Sequence, residues 1–302
     1  MPPDGHADRG DNHGGHRDRP PCSGGPPPED RDREEYYVAL RRTVSTEQEQ
    51  ATYEKWEKTS EEARWMWSEY QRRWPPSERP KVDKAKDEPG SWRGEGDSYL
   101  SRAANERVEA ECDRIADHER KTITPVMLEI ERQDPGRRLV GLQHCRKGRD
   151  RIKEKVYDRI EEKNRTPEEA VAQISDTLRY TFQYQESSYT QGVRAEMARM
   201  KERGLKMITC KNYWEEEEYK GINSQWIEPD TGQRFELQFH TRISFEAKQI
   251  THKAYERLRS GQSDEFEKMV LKAFQRKVSA EVQIPVGAAD IPDYPERRAD
   301  AR

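Results

Sequence analysis

Between Arg137 and Lys155 the chain is crowded with cations: Arg137, Arg138, Arg146, Lys147, Arg149, Arg151, Lys153 and Lys155, opposed only by Asp150 and Glu154. Lys147, Arg151 and Lys155 are spaced four apart, so a helix through them puts all three on one face. Cations arranged in this way repel one another unless an anion joins them, and a triphosphate suits the geometry. A basic helix face bathed in solvent has the same spelling.

Asp176 stands where an alternating stretch begins, with Leu178, Tyr180 and Phe182 on one side and Thr177, Arg179 and Thr181 on the other. A carboxylate entering an apolar strand is costly unless it is paired or metal-bound; the plainer alternative is a turn aspartate. In the run from Phe235 to Thr241, a strand points Phe235, Leu237 and Phe239 into the core and leaves Glu236, Gln238 and His240 in a row on the other face. On neighbouring strands, Asp176 and Glu236 would make a two-carboxylate site for Mg2+, a cation that takes oxygen ligands and bridges phosphates. In Tyr219-Lys220-Gly221-Ile222-Asn223 a tyrosine precedes a glycine and a strand, where its ring either faces a base or closes over the core.

The order of these motifs resembles the synthetase domain of RelA/SpoT proteins. Lys147, Arg151 and Lys155 are similar to the family's basic motif, and Asp176-Thr-Leu-Arg-Tyr-Thr to its metal-binding strand. Tyr219 resembles the nucleotide-stacking tyrosine, Glu236-Leu-Gln238-Phe-His240-Thr241 the Glu-x-Gln-x-Arg-Thr strand, and His252-Lys-Ala-Tyr255 the His-x-x-Tyr helix. The likeness spans about residues 137–260 and departs from the family at Arg151, Glu218, Asn223 and His240. It implies a nucleotidyltransferase-like mixed sheet, Mg2+ held by Asp176 and Glu236, and ATP as pyrophosphate donor on Arg146, Lys147, Arg151 and Lys155. The acceptor, a guanine or adenine nucleotide, would meet Tyr219, Asn223, Gln238, His240 and His252, with Glu236 taking the proton of its 3′-hydroxyl. Toxins on the same scaffold pyrophosphorylate the 3′ end of tRNA, and a catalytically inactive binding module is a third reading. The family's hydrolase domain is not expected, since Asp117-His118 reverses its His-Asp order.

Several elements must position these groups. A helix is expected over about 149–163, another from Thr166-Pro167, a strand over 174–184, and a helix over about 189–203 closed by Gly204. Strands follow near 205–211, 222–228 and 234–240, the last two joined by the turn Pro229-Asp230-Thr231-Gly232. Helices near 244–259 and 263–276 come last. Upstream, Leu100, Ala104, Val108, Cys112 and Ile115 mark an amphipathic helix, Thr124-Pro125 reads as the cap of a second, and a short strand is expected within Arg137 to Cys145. The fold class is therefore α+β: a mixed sheet flanked by helices, with a helical N-terminal extension and disordered tails.

Of 302 residues, 31% are hydrophobic and 38% charged, which is poor in core material and points to substantial disordered or exposed charged segments. The expected divisions are a disordered tail over 1–35, a helical extension over 36–74, a linker over 75–97, the synthetase-like domain over 98–283 and an extended tail over 284–302. Trp56, Trp65, Trp67, Tyr70 and Trp74 give the extension an aromatic stripe, suited to packing on a neighbouring domain, a partner protein or antitoxin, or RNA. The net charge of −4 gives no global pull toward nucleic acid, so any anion site must be local. Cys22, Cys112, Cys145 and Cys210 form no metal-type spacing, which fits a reducing, cytoplasmic setting, including that of a cell into which an effector is delivered. No apolar run is long enough for a membrane span.

Overall fold

The structure, a computed structural model, describes residues 47–75, 87–94, 96–134 and 136–295. The tail expected over 1–35, the start of the helical extension and most of the 75–97 linker lie outside the described residues.

The core is a five-stranded mixed sheet in the order β3-β4-β7-β6-β5, built from β3 (Arg137–Val140), β4 (Arg179–Tyr184), β5 (Lys206–Asn212), β6 (Ile222–Ile227) and β7 (Arg234–Thr241). A small hairpin of β1 (Trp92–Arg93) and β2 (Tyr99–Leu100) precedes it. Every pairing in the main sheet is antiparallel except that of β4 with the central strand, β7. Their register sets Tyr180 beside Leu237 and Phe182 beside Phe239, and sets Arg179 beside Glu236, Thr181 beside Gln238 and Gln183 beside His240. Because side chains alternate along a strand, the sheet has one apolar and one polar face. The apolar face carries Phe182, Phe235, Leu237 and Phe239, all fully buried.

Helices α2 (Arg102–His118), α3 (Thr124–Arg132) and α6 (Tyr189–Glu202) add Val108, Met127, Ile130, Tyr189 and Val193 to the same core. Thr124 is not the N-cap its sequence suggests. A π-helical turn over Glu119–Ile123 joins α2 to α3 without a break, and the Thr124 N–H reaches back to the Glu119 carbonyl. Pro125 has no N–H to satisfy, so the wider turn continues the helix through it.

Before α4 (Arg149–Lys163), the chain runs antiparallel to the start of β4: Lys147 N–H donates to the Thr177 carbonyl (2.9 Å) and Arg179 N–H to the Cys145 carbonyl (2.7 Å). This pairing fixes the start of α4 next to Asp176, and buried Ile152 and Val156 hold the helix down. The short helix α5 (Pro167–Ala172) follows with a capping box between Thr166 and Glu169.

From the end of β7 the chain turns directly into α7 (Arg242–Arg259), capped by Thr241 and Ser244, and then α8 (Glu265–Ala280). The first helix, α1 (Glu47–Arg73), lies across this pair. Trp56 is buried and donates to Glu246 of α7 at 2.8 Å, Tyr70 donates to Glu267 of α8 at 2.5 Å, and Trp67 packs on Phe274. The aromatic stripe is thus used within the chain; Trp65 alone of the large aromatics of α1 is mainly exposed.

The segment expected as a C-terminal tail is, as far as residue 295, docked on the sheet. Tyr294 and Cys210 exchange backbone hydrogen bonds at the β5 edge, Asn212 donates to the Ile291 carbonyl, and Ala288 and Ile291 are buried. Among the described residues no helix is long and apolar enough to cross a membrane.

Candidate active site

The carboxylates of Asp176 and Glu236 come together at the start of the parallel strands β4 and β7. Asp176 sits just before β4 and Glu236 lies opposite Arg179 in β7. A single nitrogen, Arg179 Nη2, reaches both: 3.3 Å to Asp176 Oδ2 and 3.1 Å to Glu236 Oε2. Arg179 Nε adds a second bond to Glu236 at 3.2 Å, so that pairing is bidentate from the arginine side. The Arg179 side chain keeps 36% of its surface exposed, which opens the pair to solvent.

Two lysines complete the cluster. Lys147 Nζ stands 2.9 Å from Asp176 Oδ2, and Lys155 Nζ stands 2.8 Å from Oδ1. Burial pushes the Asp176 carboxyl up, but Lys147 and Lys155 outweigh it and hold the group well below the usual carboxylate range. The Lys147 ammonium is pulled below its ordinary value, because burial and the neighbouring Lys155 and Arg179 outweigh the attraction of Asp176.

The expected basic face is corrected in two ways. Lys147 lies ahead of α4, in the stretch paired with Thr177, rather than on the helix itself. Arg151 pairs with Glu154 of its own helix at 3.0 Å and is half-exposed, so it does not join Lys147 and Lys155 on Asp176. Arg146 stands 3.6 Å from Glu119. Arg149 is drawn away to Glu109 and Asp113 of α2.

Along the polar face, the Gln238 amide donates to Glu236 Oε1 and its carbonyl accepts from Lys248 of α7. Asn223 of β6 lies beside Gln238 and accepts from the Tyr219 hydroxyl at 2.8 Å. That hydroxyl also meets His240 Nε2 at 2.9 Å, and the half-buried tyrosine ring stands edge-to-face with Tyr213 and His240.

His240 is not open to a phosphate or a metal. It is completely buried, with Nδ1 against Ser244 Oγ at 2.9 Å and Phe245 on its ring. Burial takes its pKa well below the ordinary value, aided by Lys248, so the imidazole is neutral. It serves as a post for Tyr219. Gly221 makes room for it: a Cβ there would meet the ring at 2.7 Å, and the backbone φ of 145° disfavours other residues. His252 lies one turn beyond Lys248 on α7, half-exposed, with Glu256 3.5 Å away.

Two residues of this site escaped sequence reasoning. Arg179 was legible as a member of the polar side of its strand, but only the parallel register with Glu236 makes it the link between the carboxylates. Lys248 carried no signal, because its place depends on how α7 folds back over β7.

Among the described residues, no group of three or more His, Cys, Asp or Glu side chains gathers to hold a metal by itself. Two carboxylates touching one cationic nitrogen do fit Mg2+, which uses one or two carboxylates and completes its shell with substrate phosphates and water.

No family model and no curated protein matches this chain. Solved structures do. The chain is similar to a GTP pyrophosphokinase family protein from Streptococcus pneumoniae at 12% identity, with a TM-score of 0.40, over 57% of this chain and 90% of that one. It is similar to small alarmone synthetase 1 from Bacillus subtilis at 14% identity and a TM-score of 0.38, over 58% and 90% of the two chains. Against the same synthetase bound to its product pppGpp, the identity is 14% and the TM-score 0.41, over 62% and 95%.

Proposed function

We propose that this chain transfers pyrophosphate from ATP to the 3′-hydroxyl of a guanine or adenine nucleotide. The observation that supports this most is the meeting of Asp176 and Glu236 on one guanidinium, with Lys147 and Lys155 beside them. Transfer of a phosphoryl-type group asks a protein mainly for positioning and charge neutralisation, and this cluster has the residues for both.

In this reading the ATP phosphates take over Lys147 and Lys155 from Asp176, with Arg146 and Arg151 at the rim. Asp176 and Glu236 would hold Mg2+, which would supply charge neutralisation for the transferred group. Glu236 accepts the proton of the acceptor's 3′-hydroxyl. The oxygen attacks the β-phosphorus in line; the bond from that phosphorus to the oxygen bridging it to the α-phosphorus breaks, and AMP leaves with the bridging oxygen. Tyr219, anchored by Asn223 and His240, offers its ring to the acceptor base, and Gln238 and His252 line the acceptor's approach.

The test is to incubate the full chain with Mg2+ and γ-labelled ATP, adding GDP, GTP, AMP or tRNA in turn. Label should move to a guanine or adenine nucleotide, with release of AMP from ATP. Label on tRNA alone would replace the acceptor class, and no transfer to any acceptor would overturn the proposal.

A further inference from the structure

Lys147, Lys155, Arg179 and Lys248 stand along the polar side of the site, and the first three have carboxylates of their own. Lys147 and Lys155 are bound to Asp176, and Arg179 to Asp176 and Glu236. Lys248 differs. Its ammonium donates to the side-chain carbonyl of Gln238, a neutral group, and lies 5.4 Å from the Phe245 ring centre. Among the described residues no carboxylate stands within ion-pair distance of it.

A desolvated ammonium with a neutral partner is a costly arrangement unless an anion comes to it. Stability does not require a cation here, since Gln238 is already engaged by Thr181 and Glu236. Such an ammonium either gives up its proton or takes an anion, and an anion at ion-pair distance would have to come from outside the described residues.

Position says which anion. The contacts run in order: Lys147 and Lys155 on Asp176, then Arg179, Glu236, Gln238 and Lys248. In-line transfer puts donor and acceptor on opposite sides of the phosphorus. With the ATP phosphates at Asp176, Lys248 falls on the far flank of Glu236, the flank shared by Gln238, Asn223 and Tyr219.

We propose that Lys248 receives the 5′-phosphates of the acceptor, so that the acceptor is a free nucleotide with a terminal 5′-phosphate group rather than a nucleoside or an RNA end. The assignment of flanks rests on the pyrophosphate-transfer reading above; the demand for an anion at Lys248 does not.

The experiment measures binding of GDP, ADP, guanosine and adenosine to the full chain by calorimetry, and then acceptor and ATP KM values in the transfer assay. The variants are Lys248→Met, which keeps the length and removes the charge, and Lys248→Arg, which keeps the charge. At least one diphosphate should bind about tenfold or more tightly than its nucleoside, the range for a hydrogen bond to a charged group. Lys248→Met should erase that preference and raise the acceptor KM with little change in the KM for ATP. Lys248→Arg should keep most of it. Equal binding of nucleoside and diphosphate by the natural chain would overturn the inference, as would a preference that survives in Lys248→Met. If Lys248→Met fails to fold by its melting curve, the natural chain and Lys248→Arg still give the deciding comparison. A chain that binds diphosphates through Lys248 but transfers no label would sink the transfer reading and leave the anion site standing.

Discussion

At the scale of single residues, charge compensation sets the design. Asp176 is ionised because Lys147 and Lys155 outweigh its burial. Glu236 is held on one oxygen by Arg179 and on the other by Gln238. Glu236→Gln keeps the size of the side chain and removes the proton acceptor, so turnover should fall at least ~100-fold in a variant that still folds by its melting curve; near-normal turnover would take Glu236 out of the chemistry. Lys248 gives a second expectation. Burial and Arg179 outweigh the pull of Glu236 and push its amine down to about 7. Also in its field are His240 and His252, both lowered and therefore neutral above that pH, and Arg179, which stays charged. A terminal phosphate is already mostly in its doubly ionised form there. Between about pH 7 and pH 9 the natural chain should therefore lose affinity for GDP or ADP as Lys248 deprotonates, and Lys248→Arg should show a flat profile, because a guanidinium keeps its charge. Calorimetry across that range checks the sign.

Among the elements, the decisive contact is the parallel pairing of β4 with β7. It sets Arg179 opposite Glu236, and one residue of slip would send either side chain to the apolar face. The loop entering β6 is the second such element. Gly221 lets the backbone pass over His240, whose two nitrogens tie Tyr219 to Ser244 at the head of α7. Gly221→Ala should displace the His240 ring and free Tyr219, at a cost of roughly 1–3 kcal/mol from overpacking and backbone strain. The acceptor KM should rise in this variant while the KM for ATP holds, measured alongside denaturant melts. Equal losses for both substrates would mean that β6 and α7 do not serve the acceptor separately.

Across the whole molecule, α1 behaves as part of the domain. Its Trp56 and Tyr53 donate to Glu246, a carboxyl that burial raises above its ordinary value despite Trp56, Arg242 and Tyr53. Arg242 in turn lies 3.4 Å over the Tyr53 ring. Because Glu246, Ser244 and Lys248 share α7, the N-terminal helix braces the helix that closes the polar face. Trp56→Ala should cost about 3–5 kcal/mol, the range for a large buried aromatic, and should shift one cooperative unfolding transition. A lone early transition that leaves the main one in place would show α1 to be an appendage.

The sequence by itself carried the order of the elements, the alternation that separates Phe235, Leu237 and Phe239 from Glu236, Gln238 and His240, and the pairing of Asp176 with Glu236 as candidate ligands. Those features are local: side-chain periodicity, turn chemistry and caps depend on neighbours in the chain. The sequence misplaced Lys147 on a helix, set Arg151 on one face with Lys147 and Lys155, and left His240 on the open polar face as an acceptor contact, because charge type alone says nothing about which partner or how much solvent a side chain will find. Tertiary structure decided that Arg179 joins the two carboxylates, that His240 is buried and neutral, that Lys248 arrives from α7, and that the N-terminal helix and residues 284–295 close over the domain. Each of these depends on strand register or on one element folding back over another, and such contacts bring together residues that leave no mark on each other's local sequence.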